Sequence, residues 1–500
     1  MKKTLASALL TLSTAVASYA EPALTIYNQN FAVVRDTIHL DLKTGLNTIN
    51  YTEAAMHLEP DSVVLRDPAG GNLQILEQNF RADPISEGLL LNFNEGKTIE
   101  FEKETDANGA VKREIVRGKI IRSGYVPHNQ TSTPYDWTYN AQQQAMTVDA
   151  GQPIIEVDGK LMFRLPGQPL FPALPDDSIL KPTLTWQLKS PRSGPVEAEL
   201  GYITGGMSWH ADYNLVAPEN GNSLDLVGWV TMDNQTGKSF HDAKIKLMAG
   251  DVNKIQPQNY QMAMAGNGVM RDMSSAPPVS EKSFDEYHLY TLERTATLLD
   301  RETKQVEFVR GAGIPSHTVY IYDGAKLDRY AGWNWEAVRS QSDYGTESNP
   351  KVLVMREFFN SESNHLGMPL PKGRLRFYRR DADGQMEFTG ENEIDHTPRD
   401  ERIRVATGNA FDLVGERVRG DFRESVNDHW IDESFVIKLR NHKKEPVEIR
   451  AVEHLYRWNT WNITAKSDDF TKTDAQTVEF RVTVAPDAER QVTYTVHYTW

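Results

Sequence analysis

The sequence predicts an all-β protein built of antiparallel β-sandwich domains, and three observations lead to this fold class. Apolar and polar residues alternate along many short segments, most clearly along Gln491–Trp500, and such alternation is the pattern of a half-buried strand. Turn signals rich in Gly, Asn and Asp separate the segments at short intervals, which is typical of sandwiches. The chain also contains 19 Tyr, 18 Phe and 10 Trp residues, and aromatic residues favour strands.

Residues 1–20 are predicted to be a secretory signal peptide. Lys2 and Lys3 form a basic start, Leu5–Val16 is an apolar run, and the Ser-Tyr-Ala sequence at 18–20 has small residues before a cleavage point. The apolar run is shorter than the roughly 20 residues that span a bilayer. We therefore expect cleavage after residue 20 and a periplasmic or secreted protein.

The composition of the 500-residue chain excludes several classes of protein. The absence of Cys rules out disulfide bonds, thiolate metal sites and a cysteine nucleophile. The formal net charge of −15 offers no basic stripe for phosphates, so nucleic acid is not an expected partner. No later segment is apolar and long enough to predict a transmembrane helix.

Residues 21–180 are predicted to form an N-terminal β-rich domain. Hairpins between about residues 97 and 163 indicate a small β-barrel-like insertion. The strongest hairpin signal is Asp158-Gly159, since both residues tolerate the positive φ of a type I′ turn. Leu89–Phe93 is also expected to be a strand. A Pro-rich stretch at 165–182 marks the end of this domain, because Pro cannot donate to a sheet ladder and stiffens a linker.

Residues 181–500 are predicted to form a tandem β-sandwich region that contains a flexible insertion at 252–283. The insertion is rich in Met, Gly, Asn and Ser, includes Pro277-Pro278 and lacks alternation. Such a composition cannot bury enough apolar surface to form a core of its own.

Several longer segments of this region carry a resemblance to a known family. They are YITGGMSWHADY (Tyr202–Tyr213), GWVTMDNQTGKSFHDA (Gly228–Ala243), SNHLGMPLPKGRLRFY (Ser363–Tyr378), GENEIDHTPRDE (Gly390–Glu401) and the tail Phe435–Trp500. Together they resemble a secreted bacterial family with a C-terminal domain of unknown function, related to the mucoidy-inhibitor-like proteins. The resemblance implies an exported β-rich protein without an established reaction, so it supplies no catalytic residues. Mucoidy-inhibitor-like members usually place a coiled coil before this domain, and this chain has no heptad run there.

Catalytic motifs are not found. The sequence has no phosphate-binding GxxxxGK[ST] loop and no HExxH helix. The segment Gly206–His210 is the nearest match to a nucleophile elbow, but it lacks the second Gly that lets the backbone turn at the serine. We therefore predict no catalytic residues and no cofactor.

Two sets of aromatic residues are candidates for ligand binding. Tyr330, Trp333 and Trp335 fall in an irregular loop, where binding residues often lie, and their flat faces could stack on sugar rings. Trp209 and His210 form the second set. For both sets the alternative is structural, because large aromatic side chains are usually buried against a sheet.

The only candidates for a metal site are weak. Asp395 and His396 follow the acidic residues Glu391 and Glu393, and His365 lies elsewhere in the region. These residues lack the regular spacing of zinc or calcium ligands. The alternative is a turn in which Asp395 accepts backbone hydrogen bonds, and we predict no bound metal.

These features favour a non-catalytic periplasmic or cell-envelope protein that binds an envelope protein or a glycan. The alternative is an enzyme that acts on envelope or extracellular polysaccharide, with the acidic and His residues near Asp395 as its site. A third class is an outer-membrane component, suggested by the terminal Trp500. Charged residues on both sides of most strands favour instead a core strand at the C-terminus.

Overall fold

A computed structural model of the chain describes residues 21–107, 110–125, 152–172, 174, 178–219, 221–250, 252, 254, 279–284, 287–327, 338 and 341–500. The predicted signal peptide and most of the predicted insertion at 252–283 lie outside these ranges. The elements up to residue 250 are β1 (Ala23–Tyr27), β2 (Phe31–Leu42), β3 (Gly45–Tyr51), β4 (Val64–Arg66), β5 (Gln74–Arg81), α1 (Glu87–Phe93), β6 (Thr98–Ala107), β7 (Ala110–Arg122), β8 (Ile154–Val157), β9 (Lys160–Met162), β10 (Gln168–Leu170), β11 (Thr183–Ser190), β12 (Gly194–Gly205), β13 (Met207–Ala217), β14 (Ser223–Asn234) and β15 (Phe240–Ala249).

The elements beyond residue 250 include strands and a short 3₁₀ helix at Glu362–Asn364, and another 3₁₀ helix lies at Pro60–Ser62. The strands are β16 (Val279–Phe284), β17 (Tyr287–Leu292), β18 (Ala296–Leu298), β19 (Glu302–Pro315), β20 (His317–Asp323), β21 (Lys351–Phe359), β22 (Gly373–Arg380), β23 (Met386–Ile394), β24 (Arg402–Ser425), β25 (Trp430–Asn441), β26 (Val447–His454), β27 (Trp461–Lys466), β28 (Phe470–Lys472), β29 (Thr477–Val484) and β30 (Ala488–Thr499).

The predicted all-β, sandwich-like fold is confirmed. The described strands form sheets of eight, five, three, five and nine strands. Alternation is the reason that the sequence could predict them, because successive side chains of a strand point to opposite faces. Along β30 the residues Val492, Tyr494, Val496 and Tyr498 are buried and their neighbours are not, as predicted for a core strand.

The chain divides into two compact units that interleave along the sequence. The predicted domain boundary at residue 180 falls inside the first unit and stays a prediction. The first unit consists of Met1–Trp209, Met232–Gly266 and Lys282–Lys304, and the second of His210–Thr231, Asn267–Glu281 and Gln305–Trp500.

The first unit contains most of the eight-stranded sheet, in the order β16-β17-β15-β1-β2-β12-β4 with β18 beside β15. The pairing of β2 with β12 runs without a shift from Phe31↔Gly205 to Leu42↔Gly194. A separate sheet has the order β3-β11-β5, and its central strand β11 contains the fully buried Trp186. The indole of Trp186 donates a 2.7 Å hydrogen bond to Gln78 Oε1, which satisfies the one polar atom of that ring.

The hairpins predicted as a barrel-like insertion form a small sheet in the order β10-β6-β7-β8-β9. This order is an open path, so among the described residues the sheet does not close on itself. Asp158 and Gly159 have φ values of 51° and 73° and join β8 to β9, which confirms the predicted tight turn. The core of this sheet consists of Leu91, Ile99, Phe101, Ile120 and Ile155.

One prediction about local structure was wrong. Leu89–Phe93 is not a strand but the C-terminal part of α1, because the hydroxyl of Ser86 accepts a hydrogen bond from the Leu89 amide and caps the helix. Three consecutive leucines, which are good helix formers, follow the cap. The last residues of the predicted flexible insertion, 279–283, belong to β16, Val279–Phe284, and the insertion itself stays a prediction.

The second unit is built on the nine-stranded sheet, in the order β27-β30-β25-β24-β21-β20-β26-β29-β28. Two arginine–glutamate pairs lie in its core with fully buried side chains. Arg417 Nε lies 2.9 and 3.0 Å from the carboxylate oxygens of Glu453, and Arg457 Nη2 lies 2.8 Å from Glu433 Oε1. Tyr494 donates a 2.5 Å hydrogen bond to Glu453. Burial and the charge of Glu453 raise the pKa of Tyr494, which keeps this hydroxyl protonated.

The same arginines hold the segment that leads into β21. Arg417 Nη1 donates to the carbonyl of Gly345 at 2.7 Å. Arg457 donates to the carbonyls of Val338, Gln341 and Tyr344 at 2.7, 2.6 and 3.3 Å. Carbonyls that no strand satisfies are therefore bonded to buried cations, as buried backbone groups require partners.

We predict that Glu453→Gln strongly destabilises the second unit, since it leaves the Arg417 charge buried without a counter-ion. Removing one partner of a buried pair costs about 3–5 kcal/mol. The measurement is chemical denaturation followed by tryptophan fluorescence. Glu448→Gln is the control, because Glu448 lies on the same strand with half of its side chain exposed, where a substitution costs less than about 0.5 kcal/mol. If both substitutions lower the free energy of unfolding by the same amount, Glu453 is not the essential counter-ion of Arg417.

Candidate functional site

The predicted aromatic binding residues Tyr330, Trp333 and Trp335 lie outside the described residues, so their role stays a prediction. Trp209 lies in β13 and only 3% of its surface is exposed. Its indole nitrogen donates a 3.0 Å hydrogen bond to the carbonyl of Met248. The ring packs on Tyr290 with centroids 6.1 Å apart and therefore presents no free face to a ligand.

His210 is the neighbour of Trp209 on β13 and points to the opposite face, as adjacent strand residues do. Its side chain is about half exposed, and Nε2 lies 3.2 Å from Asp212 Oδ2. The buried Asp212 also accepts a 2.8 Å hydrogen bond from Thr231 and lies 3.5 Å from Arg376. The structure thus separates Trp209 from His210 and places His210 at the edge of a polar network around Asp212.

The weak metal candidates make contacts within their own segments. Asp395 Oδ1 accepts a 2.8 Å hydrogen bond from the His396 amide, and the Asp395 carbonyl accepts one from the Thr397 hydroxyl. His365 ends the 3₁₀ turn at Glu362–Asn364 with a φ of 57°. Asp395 therefore accepts hydrogen bonds from its own segment, and the choice between a structural role and a metal site stays a prediction. Within the described ranges no three His, Asp or Glu side chains are placed to share a metal ion.

A cleft of about 280 Å³ lies in the second unit, at a place that the sequence analysis did not single out. Strands of both sheets of this unit form its walls. The lining residues are Ala217, Thr318, Tyr320, Val354, Arg356, Phe377, Tyr378, Arg379, Thr389, Thr407, Ala410, Phe411, Asp412 and Lys443.

The largest irregularity in the strand pairing of this unit opens one wall of the cleft. Lys351 on β21 pairs with Val414 on β24, but Leu353 pairs with Asn409. The strand β24 therefore contains extra residues with no partner on β21, which is a β-bulge. Residues 410–412 of this bulge all line the cleft. Bulges redirect side chains and are common beside functional sites.

Two smaller register shifts, each with one unpaired Thr, lie at the same cleft. Thr407 and Thr389 both line it and are each followed by a Gly. Their hydroxyls donate 3.3 Å hydrogen bonds to the carbonyls of Val354 and Phe377. The pairs that flank the shifts are Val354↔Gly408 and Met355↔Ala406 around Thr407, and Phe377↔Gly390 and Tyr378↔Phe388 around Thr389.

The two threonine bulges meet at a close backbone contact. Gly390 has a φ of 155°, and a Cβ added there would lie 2.5 Å from the carbonyl oxygen of Thr407. Asn392 on the same strand donates a 3.3 Å hydrogen bond to the Ala406 carbonyl. Only Gly fits at position 390, since any side chain would push β23 away from β24. This contact joins the two walls of the cleft.

Three cations line the cleft, and the lining contains one acid, Asp412. Arg379 Nε donates to the Glu219 carbonyl at 3.2 Å, and Lys443 Nζ donates to the Tyr320 hydroxyl at 2.6 Å. Burial and the charge of Arg379 lower the pKa of Arg356 from its ordinary value. Within the described part of the chain no carboxylate lies within 4.0 Å of the charged nitrogens of Arg356, Arg379 or Lys443.

Aromatic rings border these cations. Phe411, on the large bulge, is 97% exposed, although a side chain of this size normally lies in the core. Tyr378 packs edge-on against Phe388 with centroids 5.9 Å apart. The cleft thus combines guanidinium groups, hydroxyls and flat apolar faces, a set that can bind an anion attached to a hydroxylated ring.

The sequence did contain a signal for this site. Thr389-Gly390 and Thr407-Gly408 interrupt two segments that alternate like strands, and an isolated Gly in a strand indicates a bulge or a close backbone approach. The signal does not say that the two bulges face each other, because that depends on the pairing of distant strands.

Comparisons of the chain with protein-family models, curated proteins and solved structures found no match. Among the residues that the structure describes, no helix has the length and apolar character needed to cross a membrane.

We predict that Gly390→Ala destabilises the second unit by about 1–3 kcal/mol, the usual cost of forcing atoms into a packed site. The methyl group would meet a backbone oxygen that cannot move without disturbing β24. Thermal or chemical denaturation measures the effect. Gly201→Ala is the control, because its added Cβ would lie 4.0 Å from its nearest neighbours. A Gly390→Ala protein as stable as this control would show that the contact is not tight.

Proposed function

We propose that this chain is a non-catalytic, exported protein of the periplasm or cell envelope that binds an acidic glycan in the cleft of its second unit. The observation that carries the proposal is the placement of Arg356, Arg379 and Lys443 around one cleft, with no carboxylate partner among the residues that the structure describes. Export is supported by the signal-peptide pattern of residues 1–20 and by the resemblance to a secreted family.

An anionic ligand explains the charges in the cleft. Arg356 is partly buried next to a second guanidinium, an arrangement that is unfavourable until a negative charge lies between or beside the two groups. The planar guanidinium binds carboxylates, sulfates and phosphates through paired hydrogen bonds. The cleft is therefore suited to an acid group.

A sugar explains the remaining lining residues. Thr318, Thr389 and Thr407 offer hydroxyls, and Tyr320, Tyr378 and the exposed Phe411 offer ring faces. A sugar ring presents hydroxyls at its edge and an apolar CH surface on its faces, which matches this combination. The volume of about 280 Å³ is close to the smallest size typical of small-molecule sites, so the cleft itself suits a short piece of a glycan.

Binding without hydrolysis is supported by the count of acids. Glycoside hydrolysis usually needs two carboxyl groups that flank the scissile bond, and among the described residues that line the cleft Asp412 is the one acid. One carboxylate can still accept hydrogen bonds from sugar hydroxyls. The lining therefore supports recognition of a glycan more than its cleavage.

We predict that the mature chain binds galacturonate and that Arg356→Ala weakens this binding about tenfold to a hundredfold. A hydrogen bond to a charged group contributes about 1.5–3 kcal/mol, and each 1.4 kcal/mol is a factor of ten in affinity. Isothermal titration calorimetry or NMR titration gives the dissociation constants. Arg374→Ala is the matched control, because Arg374 is an exposed arginine of β22 that does not line the cleft.

Galactose and inorganic phosphate complete this experiment. The proposal expects galactose, which lacks the acid group, and phosphate, which lacks the ring, to bind more weakly than galacturonate. If phosphate binds as tightly as galacturonate, the ligand of the cleft is a simple anion and not a glycan. No binding of galacturonate by the wild type, or equal losses in Arg356→Ala and Arg374→Ala, would overturn the proposed site.

A further inference from the structure

The acid that lines the cleft does not pair with the cations that line it. Asp412 is exposed to solvent, and its carboxylate forms no ion pair with a residue that the structure describes. The lining therefore has a positive side with three cations and a separate negative point. A ligand that only supplies an acid group complements the first of these and leaves the second without a partner.

A lysine lies close to Asp412 along the backbone, but its charge is bound elsewhere. The amide of His442 donates a 2.8 Å hydrogen bond to the carbonyl of Asp412, which places the bulge beside the turn that contains Lys443. Nζ of Lys443 lies 2.6 Å from the Tyr320 hydroxyl and 4.6 Å from the centre of the same ring. The carboxylate of Asp412 thus stays open to a cation from outside the chain, to which it can accept strong hydrogen bonds.

The residue before Asp412 adds a second group that suits a cation. Phe411 also lines the cleft and is 97% exposed. The face of an aromatic ring is negative and attracts an ammonium group. Neighbours on a regular strand point to opposite faces, so it is the bulge that lets two successive residues line one cleft.

We infer that the ligand carries an ammonium group as well as an acid group, so that its class is an acidic amino sugar. The acid group lies against Arg356 and Arg379, and the ammonium group lies against Asp412 and the ring face of Phe411. This inference rests on the proposed function, because it concerns the same cleft. A sugar of this class complements both charges of the lining.

Two sulfated sugars test the ammonium group on the full mature chain. Glucosamine 6-sulfate differs from glucose 6-sulfate by an ammonium group in place of one hydroxyl, and the amine is charged at about pH 6, since amino groups of this kind titrate at about pH 8. We expect the wild type to bind the amino sugar about tenfold more tightly. A solvated ion pair and an exposed cation–π contact each contribute a factor of about two to five. The preference should shrink at about pH 9, where most of the amine is neutral.

Substitutions in the bulge locate the contact, with isothermal titration calorimetry as the measurement. Asp412→Asn should lower the preference to about threefold or less and should bind galacturonate at least as tightly as the wild type, because it removes a charge that repels the acid group. Asp421→Asn is the matched control, since Asp421 is an exposed aspartate of the same strand that does not line the cleft. Phe411→Leu should also lower the preference. Its control is Phe359→Leu, because Phe359 is 50% exposed and lies outside the cleft.

The outcomes separate this inference from the proposed function. If galacturonate binds but the wild type does not prefer glucosamine 6-sulfate to glucose 6-sulfate, the ligand is a plain acidic sugar and the inference is overturned. A preference that Asp412→Asn leaves unchanged, or that Asp412→Asn and Asp421→Asn reduce equally, also overturns it. If no acidic sugar binds, the proposed function itself fails. A preference that Asp412→Asn removes and Asp421→Asn retains supports an acidic amino sugar as the ligand.

Discussion

A cleft between two packed sheets requires that the regular pairing of their strands be broken, and this constraint governs the second unit. Aligned strands present flat, complementary faces and leave no room for a ligand. Here β21, β22, β23 and β24 lose their register at three places, and each shift contributes lining residues to the same cleft. The irregular pairing that weakens the ladder locally also brings Phe411, Thr389 and Thr407 to one surface.

The extra residues of the large bulge in β24 also put the pairing register of this long strand at risk. A shift of the register by one residue would turn every side chain to the opposite face. The buried pair of Arg417 and Glu453 opposes such a slip. Arg417 follows the large bulge of β24 closely. Only one register of β24 places its guanidinium against Glu453 and the Gly345 carbonyl. Buried ion pairs contribute little net stability but can specify one arrangement. We interpret the two core pairs as devices of this kind, which fix the strand on which the cleft depends.

The sequence predicts features that depend on neighbouring residues better than features that depend on the pairing of distant strands. Alternation predicted the buried residues of β30, and Asp158-Gly159 predicted its turn, because both signals act between neighbours in the chain. Leu89–Phe93 was mistaken for a strand because a seven-residue helix is too short to show its period, while the Ser86 cap was overlooked. The cleft was missed because Arg356, Arg379 and Lys443 lie on different strands, and nothing in their local sequence says that β21, β22 and the β25–β26 turn meet.

The cationic cleft also has to work within an acidic chain, whose formal net charge is −15. At physiological ionic strength the screening length is about 8 Å, so repulsion from distant carboxylates is weak at the mouth of the cleft. Interactions inside the cleft are screened less, because the lining excludes part of the water. The anionic ligand that we propose would therefore be selected by contact with Arg356 and Arg379 rather than by attraction from a distance.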